Sequence, residues 1–166
     1  GPNNHYILGD DIELVDYSPI DVDIASFDGN GRTITIKSFA KFKEEQIGAG
    51  LFKKITKNMM VKNLNVVYYE NKDAFGEVIN GIPDSFADLC NDETVNFTSA
   101  IFGGLTPKNE GVITNCTVSG KVALHASTIE AKKTATNTGY SINFNIGGLV
   151  GENTGYITHS DSYLNI

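Results

Sequence analysis

The feature that most limits how this chain can fold is an internal repeat. Residues 147–166, GGLVGENTGYITHSDSYLNI, laid on residues 103–122, GGLTPKNEGVITNCTVSGKV, agree at seven of twenty positions with an offset of 44. The agreement is clustered. Gly103-Gly104-Leu105 meets Gly147-Gly148-Leu149, and Asn109, Gly111, Ile113 and Thr114 meet Asn153, Gly155, Ile157 and Thr158. Self-similarity at a fixed period marks an architecture in which each copy buries its apolar side against the next. A weaker third copy, residues 50–69, sets Gly50-Leu51 on Gly104-Leu105 and Val61-Lys62-Asn63 on Ile113-Thr114-Asn115, with two extra residues between the blocks. A fourth, residues 27–39, opens on Asp28-Gly29-Asn30-Gly31 as a turn. It continues as Thr33-Ile34-Thr35-Ile36, which alternates with the period of two that a strand needs.

Each copy is a short β-branched run, an Asn/Gly corner and another short run, with almost no helical periodicity. The Gly-Gly and Asn-x-Gly corners are expected to supply positive φ angles that other residues resist, and the glycines to let the rungs stack closely. Half of the 44-residue offset gives a unit of about 22 residues, a plausible coil of a parallel β-helix. In such a stack Ile113 and Ile157 face inward, one rung above another. Asn63 and Asn115 share one corner on successive layers, where their amides form a ladder, and His159 interrupts that ladder in the last copy. The expected fold is therefore all-β, a right-handed parallel β-helix over residues 3–166, with Gly1-Pro2 read as the scar of a removed tag.

Two segments do not fit the rungs: 70–99 and 124–144. The first holds Pro83-Asp84-Ser85, a good helix start, and Phe86, Leu89 and Cys90 follow at helical spacing. Both read as insertions leaving the coil at a corner. Repeat proteins often place such insertions on one binding face. The competing reading is a lid over the coil.

The residues resemble a known family at this point. GGLVGENTGYITHSDS is similar to the GLUG motif, roughly Gly-Gly-Leu-Val-Gly-x-Asn-x-Gly-x-Ile-x-x-Ser-x-Ser. It matches at Gly147, Gly148, Leu149, Val150, Gly151, Asn153, Gly155, Ile157, Ser160 and Ser162. In the preceding copy Pro107 replaces a glycine and Cys116 a serine. Tyr6-Ile7-Leu8, Asp11-Ile12-Glu13-Leu14 and Phe27-Asp28-Gly29-Asn30-Gly31 resemble the opening that usually precedes the repeat. Gly50-Leu51-Phe52 and Val61-Lys62-Asn63-Leu64 complete the series. The resemblance implies a right-handed parallel β-helix from a secreted or surface-anchored bacterial protein. Such segments occur in adhesin-like proteins and in the non-catalytic region of streptococcal immunoglobulin A metallopeptidases. Neither setting assigns the repeat a catalytic residue.

Composition narrows the function classes. The net charge is −7, and Arg32 is the one arginine among thirteen basic residues, which argues against nucleic acid as a partner. No apolar run approaches the roughly 20 residues of a membrane helix, so no membrane insertion is expected. Residues 1–31 carry Asp10, Asp11, Glu13, Asp16, Asp21, Asp23 and Asp28 without a lysine or arginine, whereas residues 37–62 carry seven lysines. Two surfaces that partly neutralise each other explain this simply. The acidic run suits calcium in ligand type, but no D-x-D-x-D-G loop is present, and Asp21-Val22-Asp23 is equally explained by an exposed strand edge. No other cofactor is expected.

The glycine-rich stretch does not match a phosphate cradle. It lacks G-x-G-x-x-G between strand and helix, and it lacks Gly-Lys-Ser/Thr. His5, His125 and His159 are isolated and no H-E-x-x-H occurs. Paired carboxylates of a carbohydrate-active β-helix enzyme would have to come from Asp10, Asp11, Asp21, Asp23 and Asp28. Asp28 is more simply a turn residue bonding its own backbone. A Cys90–Cys116 bridge is conceivable, but Cys116, in a strand-like run, reads as a small buried apolar residue. The sequence thus points to a non-catalytic structural or adhesion module whose insertions meet a protein or glycan partner. The alternatives are an accessory domain of a metallopeptidase and a carbohydrate-active enzyme. The final residues look strand-like and uncapped, so further rungs or another domain are expected to follow.

Overall fold

Alternating β-branched and polar residues dictate short strands here, and Asn/Gly corners turn the chain between them. The computed structural model describes residues 1–40, 42, 46–72, 74–75, 78–80, 99–122 and 143–166. One face is built by β1 (His5–Ile7), β3 (Ser26–Asp28), β6 (Met60–Lys62), β12 (Val112–Thr114) and β16 (Tyr156–Thr158), stacked in that order. The second holds β2 (Ile12–Leu14), β4 (Thr33–Ile36), β7 (Asn65–Tyr68), β13 (Thr117–Lys121) and β17 (Asp161–Asn165). The third stacks β5 (Gln46–Ala49), β10 (Ser99–Gly103) and β14 (Asn143–Gly147), and the fourth pairs β11 (Thr106–Asn109) with β15 (Val150–Asn153). Every pairing within these four sheets is parallel, so the chain winds as a right-handed parallel β-helix.

The register shows what the period means. Ile113 pairs with Ile157, flanked by Val112 with Tyr156 and Thr114 with Thr158. The 44-residue offset is therefore one layer, not two coils of about 22. Residues 123–142 intervene between β13 and β14 within that layer. The first layer, without such a segment, advances 21 residues from His5 to Ser26, close to the expected coil.

The core is a set of columns, one residue per layer. Ile34, Val66 and Val118 stack in one, and Phe27, Val61, Ile113 and Ile157 in another. Val61, Val66, Ile113 and Val118 are fully buried. A run of aromatic rings crosses the layers beside them. Tyr17 lies 6.4 Å from Phe39, Phe39 lies 6.2 Å from Tyr68, and Tyr68 meets Phe102 edge-on at 5.5 Å. The Tyr68 hydroxyl donates to the Gly104 carbonyl at 2.8 Å, and the Tyr17 hydroxyl donates to the Leu51 carbonyl. Burial pushes Tyr17 up to about 12 and Tyr68 well above its ordinary value, so both stay protonated donors. Among the described residues no buried side-chain nitrogen or oxygen lacks a partner.

The insertions need two adjustments. Ser99 and residues 143–144 belong to β10 and β14, not to the inserted segments. The base of the first segment is an antiparallel pair, β8 (Asn71–Lys72) with β9 (Val78–Asn80). The helix expected from Pro83, and Cys90, lie outside the described residues. Asp21 and Asp23 are exposed but sit in irregular chain, not on a strand edge.

Candidate functional site

The repeat motif forms two corners, and side-chain amides run along both. At the first, Asn63 and Asn115 occupy the residue after β6 and β12 at φ 53° and 52°. The Asn115 amide donates to the Asn63 side-chain oxygen at 2.8 Å, and the Asn63 amide donates to Asp28 Oδ1 at 3.1 Å. His159 holds the same corner in the last layer at φ 47° and brings an imidazole where the ladder has amides. At the second corner the Asn109 amide donates to Asn153 at 2.8 Å, while Asn109 Oδ1 accepts the Gly111 N–H at 3.1 Å. Asn109 thus serves both its own turn and the next layer, whereas Asn63 and Asn115 link layers. A ladder on the neighbouring face, Thr117 Oγ1 to Asn65 Oδ1 at 2.6 Å, has no counterpart in the sequence reading, because aspartate replaces Thr117 in the aligned copy.

Of the two purposes expected of the corner glycines, close stacking is what most of them serve, and positive φ is not. Among the described glycines only Gly31 (φ 71°) and Gly120 (φ 101°) lie in the left-handed region. The motif glycines sit at close approaches of the backbone, most of them between layers and that of Gly147 within its own turn. A Cβ on Gly103 would stand 2.0 Å from the Thr106 carbonyl oxygen and 2.6 Å from the Gly151 nitrogen. On Gly147 it would stand 1.8 Å from the Val150 oxygen, on Gly155 2.1 Å from the Gly111 oxygen, and on Gly111 2.3 Å from the Met59 oxygen. On Gly104 it would meet the Gly148 oxygen at 2.4 Å and the Val118 side chain at 2.5 Å, and on Gly148 the Ser162 hydroxyl at 2.2 Å. On Gly151 it would lie 2.4 Å from the Ile101 side chain. Positive φ falls to asparagine, which tolerates it and also contributes the ladder bond.

Ala49 pairs with Phe102, which brings Gly50 beside Gly103, one residue away from the sequence alignment. Phe52 donates its N–H to the Leu105 carbonyl and Leu105 to that of Leu149, so Leu105 is held between layers and Leu51 lies one step back. The turn between Thr56 and Met59, closed by the Met59 N–H at 3.0 Å, takes up the difference in coil length.

Asp10, Asp11, Asp16 and Asp28 have structural partners. Asp28 Oδ1 accepts the Asn30 N–H at 2.8 Å, and Gly29 packs under Asn63, where a Cβ would lie 2.5 Å from the carbonyl oxygen. The Asn30 N–H holds the Asp28 carboxyl below its ordinary value against the opposing cost of burial, with help from the Asn63 amide and Lys62. A depressed folded value means the stabilisation is complete above the unfolded value of 3.8 and is lost as pH falls through the folded one. Urea midpoints measured between about pH 6 and pH 2 should therefore fall on the acid side of that value, and the fall should be shallower in Asp28→Asn.

Asp11 Oδ1 accepts the Thr33 N–H, Asp10 Oδ1 the Asp11 N–H, and Asp16 Oδ1 the Ser38 hydroxyl. No three His, Cys, Asp or Glu side chains gather at metal-holding distance among the described residues. Cys116 is a free, buried thiol 3.4 Å from the Thr114 carbonyl, and burial pushes it up to about 11, away from nucleophilic chemistry.

The two inserted segments leave from one place. The first departs after β7 and returns at β10, and the second departs after β13 and returns at β14. β7 and β13 are hydrogen-bonded neighbours, as are β10 and β14. The same corner of successive layers therefore opens twice. Comparison of the chain with family models, with curated proteins and with solved structures finds no match, so the GLUG resemblance rests on the motif residues themselves.

Proposed function

We propose that this chain is a non-catalytic structural and adhesion module of a bacterial cell-surface or secreted protein, in which a rigid coil presents residues 70–98 and 123–142 to a protein or glycan partner. The observation that carries this reading is the shared exit corner. Two long segments emerge on adjacent layers from a scaffold whose motif residues are consumed by turns and interlayer contacts. Loops positioned by a rigid scaffold are where recognition concentrates. The bacterial setting comes from the resemblance of Gly147–Ser162 to the GLUG motif.

The test replaces 81–98 and 123–142, singly and together, by short Gly/Ser linkers. Binding to a protein and glycan array is then measured beside far-UV circular dichroism and thermal unfolding. The proposal expects the coil to keep its spectrum and cooperative unfolding while array binding disappears. Loss of folding in the single replacements would instead identify the segments as a cover for the coil.

A further inference from the structure

The face formed by β1, β3, β6, β12 and β16 carries a feature that neither the repeat nor the exit corner uses. Strand residues alternate between the two sides of a sheet. Phe27, Val61, Ile113 and Ile157 point inward, so their neighbours point out. Register places His5, Ser26, Met60, Val112 and Tyr156 in one outward column across five layers. The column spans about 19 Å at the usual strand spacing of about 4.8 Å.

Two open hollows lie along it, of about 310 and 410 Å³, and they share Lys57 and Val112 as common walls. They form one trough. Its floor is apolar: Tyr156 is 74% exposed and Met60 37%. Its rim is polar. Ser26 and His5, bonded to each other at 2.6 Å, lie at one end, and Glu110 and Thr154 at the other. Lys57, from the turn with the extra residues, stands at the waist.

The charges at the rim are unevenly matched. Glu110 is tied to Lys54 at 2.8 Å, and Lys62 faces Asp28 at 3.9 Å. Lys57 makes no ion pair among the described residues, in a chain of net charge −7. This leaves one ammonium group open to an anionic ligand over an apolar, aromatic floor.

We propose that this trough binds an extended glycan chain bearing carboxylate groups. An exposed tyrosine ring offers a flat electron-rich face to the C–H side of a pyranose. The flanking hydroxyl, carboxylate and ammonium groups suit sugar hydroxyls, and Lys57 pairs with a sugar carboxylate. The layer spacing is close to the length of one pyranose unit, so successive sugars meet successive layers. A peptide fits less well, since strand addition would need it to lie along edge strand β1 or β16 at an end of the stack, not along a column that crosses the layers. Nucleic acid is disfavoured by the net charge. The site lies on a face that neither inserted segment leaves, and it stands independently of the display role.

The experiment is a calorimetric titration of the full chain, with chelator present, against oligogalacturonate, hyaluronan and oligosialate fragments. Methyl-esterified oligogalacturonate is the uncharged control. At least one acidic glycan is expected to bind saturably and to weaken with salt. Tyr156→Ala should weaken it at least tenfold and Lys57→Ala at least fivefold, with circular dichroism unchanged. If oligogalacturonate is the ligand, esterification should weaken it as much as Lys57→Ala does. No saturable binding of any of the three overturns the proposal, as does binding that both variants leave unaltered. Equal binding of the acid and its ester overturns the carboxylate assignment.

Discussion

Replacing Gly103 by alanine is expected to cost about 4 kcal/mol or more, among the largest effects a single methyl group produces. The added Cβ would stand 2.0 Å from the Thr106 oxygen, 2.6 Å from the Gly151 nitrogen and 2.6 Å from Val150 Cα. All three are backbone atoms, two of them on the next layer, so no side chain can move aside. Relief requires the turn to Thr106 to open and the layers to part, and the second breaks the β10–β14 pairing in which Gly103 faces Gly147. For a chain of this size the loss corresponds to a fall in melting temperature of about 8 °C or more. Gly9→Ala is the control. Nothing lies within 4 Å of its Cβ position, so its melting temperature should stay close to that of the parent. A Gly103→Ala protein as stable as the parent would show that the motif glycines are not contact points between layers.

Tyr68→Ala is expected to destabilise the chain by about 3–5 kcal/mol, the range for emptying a large aromatic site. Tyr68 is fully buried between Phe39 and Phe102. Tyr68 and Phe102 lie on β7 and β10, which are hydrogen-bonded to neighbouring layers and cannot collapse into the space. Tyr68→Phe separates the ring from its hydroxyl. It keeps the packing but removes the donor to the Gly104 carbonyl, at a cost of about 1–3 kcal/mol for the unpaired acceptor. Urea unfolding of both variants gives the two quantities. Equal losses would mean that the hydroxyl, not the ring, dominates.

The parts of this fold that were readable from the sequence are those that recur at a constant interval. Ile113 over Ile157 and Asn109 beside Asn153 follow from one 44-residue shift. Asn63 beside Asn115 follows from matching short strands across a different interval. What the interval meant was not readable. A segment inside a layer and an additional coil lengthen the chain alike, so reading 124–144 as an insertion did not by itself reduce the 44-residue interval to one layer. The aromatic run was hidden for the same reason: Tyr17, Phe39, Tyr68 and Phe102 stand at unequal separations, because each layer takes a different detour between its faces. The alignment of Gly50 slipped by one because the chain from Gly50 to Ile55 is one residue shorter than that from Gly103 to Asn109, which offsets part of the lengthening at the Thr56–Met59 turn. Glycine propensity suggested positive φ at the corners, but the ladder bond that favours asparagine there exists only between layers. The trough beside Tyr156 needed the register of five strands, since outward columns form only when their order is known.

The central claim is that one repeat interval is one layer of the coil, and a cross-link tests it most directly. Thr114 and Thr158 are paired residues on β12 and β16, with hydroxyls 3.0 Å apart. In a Cys90→Ala background, with Cys116 buried, Thr114→Cys combined with Thr158→Cys should oxidise to an intramolecular disulfide. The product would show faster mobility on a non-reducing gel and a mass loss of two hydrogens. If the interval held two coils, these positions would stand about 10 Å apart, beyond the roughly 7 Å that a disulfide can bridge. Rapid closure in the folded protein is the predicted result. A folded double variant that stays reduced under the same oxidant would contradict it.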